Sequence, residues 1–419
     1  MNRQQAQTVA TRNIKTMFWT NLLEGVNFLG PVLILLYASR GLDTAGIYWV
    51  TLSWSMSVLL FEVPTGAFAD RFGPKASFLM GSLTAVFSTL ALLFANDQTW
   101  VFYLSNVLSG LAATFFSGSK EALIYENLKE AGREDEMSHV MGKLQTPVFL
   151  TSIVTVLFGA YLARDLTQGQ FNLLIGLTAA AQLLQLALFA RVINPTRVEE
   201  FRDNPFQHVR AGMATLRKTP NLVLGYINIT VVFIAGGILF TKMEQPYLIG
   251  AGVPTIWLGV LYAIAAVIGL VFSEKIGWLT KKMSRITWLH LLGLVAVIAP
   301  AVAAFTLDSA WAAVGVFLLM QVVRAMRYPI FSEVQNEYIP TGSRATTLSL
   351  LSILDSFFDL VLISSFATIA GFVHSDLKVI FLGASGVALL GVAIPLREAK
   401  KKQLREQAAE AAATDTTVS

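Results

Sequence analysis

The chain contains no cysteine. Disulfides, thiolate nucleophiles and Cys-ligated metal centres are thereby excluded, which fits a bacterial inner membrane. Charge is also scarce. Asp, Glu, Lys and Arg make up 14% of the 419 residues, against about a quarter in ordinary soluble proteins. The deficit runs along the whole chain instead of marking one anchor. With 54% hydrophobic residues and a mean hydropathy of +0.60, the composition is that of a polytopic membrane protein. The net charge of +4 lies in short loops between apolar runs, so no nucleic-acid partner is expected. H-E-x-x-H, G-x-S-x-G and P-loop patterns are missing as well, and their absence argues against an enzyme and against ATP-driven transport within this chain. His290 stands in an apolar run with no local metal-ligand partner. No metal and no cofactor are expected.

What is present is a series of long apolar runs. A hydrocarbon core of about 30 Å needs roughly 20 residues of helix, and runs of this length are too long for barrel strands. Twelve spans are expected, at about 15–39, 44–67, 76–96, 99–124, 139–163, 169–192, 222–247, 254–274, 286–306, 310–333, 345–373 and 377–396. The N-terminus is basic and leads into a run too long for a signal-peptide core, so the first span is expected to remain. Basic residues crowd alternate loops: Arg12 and Lys15, Arg71 and Lys75, Lys129 and Arg133, Lys281, Lys282 and Arg285, and the 397–405 segment. This bias predicts cytoplasmic ends.

The longest interruption, 193–221, falls near the middle. Its Phe206, Val209, Met213 and Leu216 approach helical spacing among basic residues. This fits either a short helix on the membrane surface or a plain linker. A shift of 211 residues superposes Gly66 on Gly277, Arg71 on Lys282, Glu126 on Glu337, Arg133 on Arg344 and Ser138 on Ser349. The expected organisation is therefore an all-α membrane protein of two six-helix bundles, 1–192 and 222–396. The 193–221 linker joins them and a cytoplasmic tail, 397–419, follows. Parallel halves of this kind suit a transporter with a central site.

Ionisable residues inside spans cost roughly 2.5–3.5 kcal/mol on insertion scales. Glu24, flanked by Asn21 and Asn27, predicts a polar face toward a cavity, or else a packing contact. Asp355 and Asp359 stand one turn apart. Two acids so close raise one pKa, which suits proton carriage; a fixed pairing with Arg324 or Arg327 and a polar face near lipid are the alternatives. The arginines could bind an anionic group, neutralise these aspartates or serve a gate. Lys242 and Glu244 are expected to snorkel or pair near the outer face, and Lys120 and Glu121 to reach interfacial water.

The stretch GAFADRFGPK at 66–75 concentrates charge between two apolar runs. It predicts a tight turn. Gly66 allows close backbone approach, and Gly73 with Pro74 breaks the chain. Asp70 is suited to a helix N-terminus, and Arg71 and Lys75 to acids at helix ends, Glu126 first among them. Such contacts would favour one conformation over another.

This pattern, Gly66-x-x-x-Asp70-Arg71-x-Gly73-x-Lys75, resembles the signature loop between helices 2 and 3 of the major facilitator superfamily. GWLTKKMSR at 277–285 resembles its weaker second copy. EVPTG before the loop, GSKEALIYENL at 118–128 and RATTLS at 344–349 are similar to further family segments. The resemblance implies that Asp70 caps helix 11 of the other half, and that Glu126 joins a charge network with Arg71 or Lys75 at a cytoplasmic gate that also takes in Arg344. The family often has a basic residue where Pro74 stands. Drug–proton antiporters often carry R-x-x-Q-G where this chain has Asn106-Val-Leu-Ser109-Gly110, and a Gly-Pro-rich motif where it has QTPVFLTSIVTVLFGAY. The expectation is a monomeric secondary transporter working by alternating access among membrane lipids. It would exchange protons for a small amphipathic substrate through a largely apolar cavity, and export that substrate. Import of a small nutrient is the alternative, and a transport-silent sensor or lipid scramblase is the alternative of another class.

Overall fold

Fifteen α-helices and no strand occur among the described residues of this computed structural model, which are 3–95, 98–133, 136–194, 213, 216–339 and 344–397. The chain divides into two compact units: Met1–Phe201 with Val253–Ala266, and Arg202–Gly252 with Val267–Ser419. The first holds α1 (Arg3–Glu24), α2 (Leu33–Ser39), α3 (Thr44–Phe72), α4 (Pro74–Ala91), α5 (Trp100–Phe116), α6 (Ser119–Ala131), α7 (Met137–Leu162) and α8 (Gln168–Phe189). The second holds α9 (Pro220–Phe233), α10 (Thr241–Gly250), most of α11 (Thr255–Lys282), α12 (Arg285–Phe305), α13 (Ala310–Asn336), α14 (Arg344–Phe372) and α15 (Leu377–Ala393).

Local chemistry sets the ends. Asp43 caps α3 by accepting the Gly46 N–H at 2.8 Å. Thr167 and Gln170 form a reciprocal capping box on α8, and Ser284, Ser309 and Asp376 cap α12, α13 and α15. Side-chain oxygens there satisfy N–H groups that the helix leaves free. Among the described residues, ten helical segments are long and apolar enough to cross a membrane. Two shorter apolar helices, Gly30–Ser39 and Leu377–Ala393, fall in the expected first and twelfth spans. Large apolar side chains stand on the outside, with Val63 80% and Trp311 89% exposed, as lipid solvation permits.

In the first unit α4 packs on α5 and α8. In the second, α12, which lies 211 residues further on, packs on α13 and α15. The repeat read in the sequence thus recurs as the same pairing inside each unit. Phe78 of α4 stacks on Phe189 of α8 at 3.8 Å between ring centres, within a cluster that includes Met17, Leu123, Ile124 and Leu144.

Four expectations are corrected. The first span is not one helix, because α1 stops at Glu24 and α2 begins at Leu33. The fourth is interrupted between α5 and α6. The seventh contains a π-helical stretch, Ile234–Leu239, between α9 and α10. The 66–75 segment is not a turn throughout: α3 continues to Phe72 and only Gly73–Pro74 bends the chain. A helical hydrogen-bond ladder satisfies the backbone there better than an open turn would. Most of the 193–221 linker and all but the start of the tail lie outside the described residues.

Candidate functional site

The break in α1 is built by its neighbour α7. Gly25 lies so near the Val148 carbonyl that a Cβ would stand 2.4 Å from it, and Gly159 of α7 meets the Phe28 carbonyl at 2.2 Å in the same sense. Only glycine at both points lets the two backbones approach. The Gly25 carbonyl, freed from the helix, accepts from the Ser152 and Thr155 hydroxyls at 3.3 and 3.2 Å. The Asn27 N–H donates to Thr155 Oγ1, and Asn27 Oδ1 accepts from the Gly30 N–H at 3.0 Å. Non-helical backbone within a membrane protein needs such partners, and it is tolerated where it lines a cavity.

A second break follows at Ser117–Gly118. Gly118 has a φ of +66°, which favours glycine, and the Ser117 hydroxyl donates to Glu62 Oε1 at 3.2 Å. The two breaks place opposite charges face to face. Glu24 is the last residue of α1, and Lys120 is the second of α6. Their Oε2 and Nζ lie 2.8 Å apart. Lys120 Nζ also donates to Asn21 Oδ1 at 3.3 Å, while Asn21 Nδ2 donates to the Leu144 carbonyl at 2.7 Å. Each charge sits at the wrong end of its own helix. A carboxylate at a C-terminus and an ammonium in a first turn both oppose the macrodipole, by about 0.3–1 kcal/mol each. The pair therefore holds together two groups that their helices alone would disfavour. Lys120 does not reach for interfacial water: it is 11% exposed, against 39% for Glu24.

Both residues line a cavity of about 830 Å³ inside the first unit. Its wall is mixed, not largely apolar as expected. Leu29, Leu33 and Phe116 contribute apolar surface, and Asn106, Gln182 and Gln185 contribute amides. Asn106 Nδ2 donates to the Tyr37 hydroxyl at 2.9 Å, so the asparagine that stands where antiporters often have arginine faces this space. Thr178 Oγ1 and Gln182 Oε1 are buried in the same wall with no hydrogen-bond partner among the described residues. Buried polar atoms in that state favour a polar occupant, because each unmade bond costs about 1–3 kcal/mol.

The remaining candidates lie in the second unit or at the signature loop. Asp355 Oδ1 accepts from Thr230 at 2.7 Å, and Asp359 is buried one turn on. The arginines turn elsewhere. Arg324 bonds to Thr241 and, at 3.4 Å, to the buried Glu244. Buried Arg327 donates to the Leu289 carbonyl at 2.6 Å and to Asn228. Gly293 makes room for it: a Cβ there would meet Arg327 Nη1 at 2.7 Å. Among the described residues nothing lies within 4 Å of where a Cβ on Gly66 would stand. Gly73 has a φ of +86°, joins α3 to α4 and requires glycine. Arg71 lies over the Phe72 ring at 5.3 Å, and Lys75 and Glu126 are half-buried. The side chains of Asp70 and Arg344 lie outside the described residues. Arg285 and Glu337 of the second unit form an ion pair at 2.6 Å. By the 211-residue shift they correspond to Pro74 and Glu126, so the second copy holds a pair whose cation the first copy replaces with proline.

Residues 22–361 match the family model described as Major Facilitator Superfamily. The chain belongs to the major facilitator superfamily. Among curated major facilitator proteins it is 23% identical to the uncharacterized MFS-type transporter YxaM of Bacillus subtilis (strain 168), over 78% of this chain and 81% of that protein. It is 25% identical to the multidrug resistance protein MdtH of Klebsiella pneumoniae (strain 342), over 55% of this chain and 54% of MdtH, about half of each. A mutant of the nucleoside transporter NupG shares the fold at a TM-score of 0.71 and 12% identity, covering 92% of this chain and 98% of that one. A D-xylose-proton symporter does so at 0.68 and 14%, covering 92% and 97%. At such identities these two structures support the major facilitator fold alone.

Sequence reasoning singled out Glu24, Asn21 and Asn27 but did not connect Lys120 to Glu24 and Asn21, and it did not single out Gly25, Gly159, Thr178 or Gln182. The breaks had a local signal. EGVNFLGP places two glycines, an asparagine and a proline within eight residues, and SGS interrupts the fourth run. Mean apolarity over a span hides such punctuation.

Proposed function

We propose that this major facilitator protein is a proton-coupled secondary transporter that exports a small amphipathic compound, with Glu24 as the proton-carrying group and Lys120 as its counter-charge. The observation that carries the reading is the Glu24–Lys120 pair at 2.8 Å, half-open to a cavity of about 830 Å³. Protonating Glu24 leaves Asn21 as the remaining partner that offsets the ammonium against the α6 macrodipole. A donor or cationic group of the solute can instead take the Glu24 carboxylate from Lys120, and a proton on Glu24 removes that acceptor. Proton and solute thus compete for a single carboxylate, which links their binding. The mixed wall suits a molecule with both apolar surface and hydrogen-bonding groups. Partial similarity to MdtH supports outward direction. Uptake of a small polar solute is the second reading, favoured by the unpaired Thr178 and Gln182 atoms in the wall.

Flux in proteoliposomes tests this. A pH gradient of the driving sign is expected to accelerate movement of ethidium, an amphipathic probe, and a protonophore to abolish the acceleration. Flux indifferent to the gradient would count against proton coupling. Gradient-driven accumulation of a nucleoside or pentose, with ethidium inert, would favour the second reading.

A further inference from the structure

We propose that a groove between α1, along nearly its whole length, and the C-terminal end of α8 is a binding site for an anionic phospholipid, with the headgroup on Arg12, Lys15 and Arg191 and an acyl chain along the leucines beyond them. The groove lies within the first unit and has a volume of about 960 Å³. It is separate from the cavity that holds Glu24 and Lys120.

Helical periodicity builds it. Ala6, Ala10, Asn13, Met17 and Asn21 form the buried stripe of α1. The opposite stripe, Thr8, Arg12, Lys15, Trp19 and Leu22, follows the three-and-four spacing of one helix face and lines the groove. Across from it, Leu184, Leu188 and Arg191 repeat at the same spacing.

Chemistry changes along the groove in the order in which it changes across a membrane leaflet. Amides and hydroxyls, Gln4, Gln7 and Thr8, come first. Arg12 and Lys15 follow, with Arg191 opposite, then Trp19, then Leu22 and Leu23 facing Leu184 and Leu188. From Arg12 to Leu23 the helix advances about 16 Å, a large part of one leaflet's hydrocarbon depth. Trp19 is 58% exposed and Leu184 52%. A soluble anion would leave this apolar floor bare, whereas a phospholipid covers it with the same molecule that meets the cations.

Charge decides which phospholipid. No Asp or Glu lines the groove, and none of the ion pairs among the described residues uses Arg12, Lys15 or Arg191. Three like charges facing one space repel, and an anionic headgroup reverses that repulsion. Basic pockets between helices at this level bind anionic headgroups. With three cations engaged, the preference for phosphatidylglycerol over phosphatidylcholine is about 100-fold.

Native mass spectrometry of the full-length, delipidated protein, titrated with each lipid in detergent, tests the proposal. Wild type is expected to retain one phosphatidylglycerol tightly and phosphatidylcholine about 100-fold more weakly. The variant R12Q/K15Q/R191Q is expected to lose that selectivity. Should it fail to fold, K15Q and R191Q alone are each expected to weaken phosphatidylglycerol about fivefold. Equal retention of the two lipids by wild type would overturn the proposal, as would undiminished selectivity in the variants. Displacement of the lipid by glycerol 3-phosphate at equal concentration would also overturn it, since the groove would then be a site for a soluble anion.

Discussion

Exchanging the two charges of the cavity pair, Glu24→Lys together with Lys120→Glu, is expected to leave a folded protein that no longer couples solute flux to a pH gradient. The exchange keeps an ion pair within reach but reverses its relation to the helices. Lysine then ends α1 and glutamate opens α6, each at the end that the macrodipole favours. Thermal stability in detergent should match or exceed wild type, because each reversed charge gains about 1 kcal/mol. Gradient-driven accumulation should fall by about 5- to 150-fold, the range of a coupling free energy of about 1–3 kcal/mol. The acid would be held ionised by its helix as well as by its partner, and protonating it would be harder. A purely structural pair would behave otherwise: the swap would restore both stability and transport. The single variants Glu24→Gln and Lys120→Met complete the cycle, and each should lose coupling too.

The second large effect is expected at the contact between α7 and the α1 break. Gly159→Val places a side chain where the Phe28 carbonyl already stands, 2.2 Å from the position of a Cβ. The obstacle is backbone, so no rotamer relieves it. Over-packing of this kind costs about 1–3 kcal/mol, and the displaced 25–29 segment also loses its bonds to Ser152 and Thr155. A clear fall in melting temperature, with loss of transport, is expected. Gly142→Ala is the control. It lies on the same helix with nothing within 4 Å, and should be neutral or stabilising by about 0.5–1 kcal/mol. Equal destabilisation by both substitutions would remove the special status of the contact.

Much of the fold was legible because apolarity over some twenty residues is a strong, local signal. The repeat was legible for a related reason. Its markers, Glu126 with Glu337 and Arg133 with Arg344, stand at or beyond the ends of apolar runs, where a repeated charge is easily seen. Glu24, Asn21 and Asn27 could be picked out because polar groups inside spans are expensive. The partner of Glu24 and Asn21 could not. Lys120 comes 96 residues later, and only the break at Ser117–Gly118 turns it toward α1. A continuous fourth helix would carry it to the membrane surface, as expected from the sequence. The aspartates of α14 show the opposite limit. Spacing placed Asp355 and Asp359 on one face, but whether Arg324 and Arg327 turned to them depended on competing acceptors, and Glu244, Asn228 and the Leu289 carbonyl took those cations instead.

The account rests on Glu24 exchanging a proton when solute occupies the cavity beside it. The most direct measurement is the pH change of a weakly buffered detergent solution of the purified protein when a transported compound is added. Wild type is expected to exchange protons with the medium upon binding, and Glu24→Gln to bind the compound with no such exchange. Identical proton exchange by the two proteins would contradict the assignment of Glu24, and binding without proton exchange in wild type would contradict coupling itself.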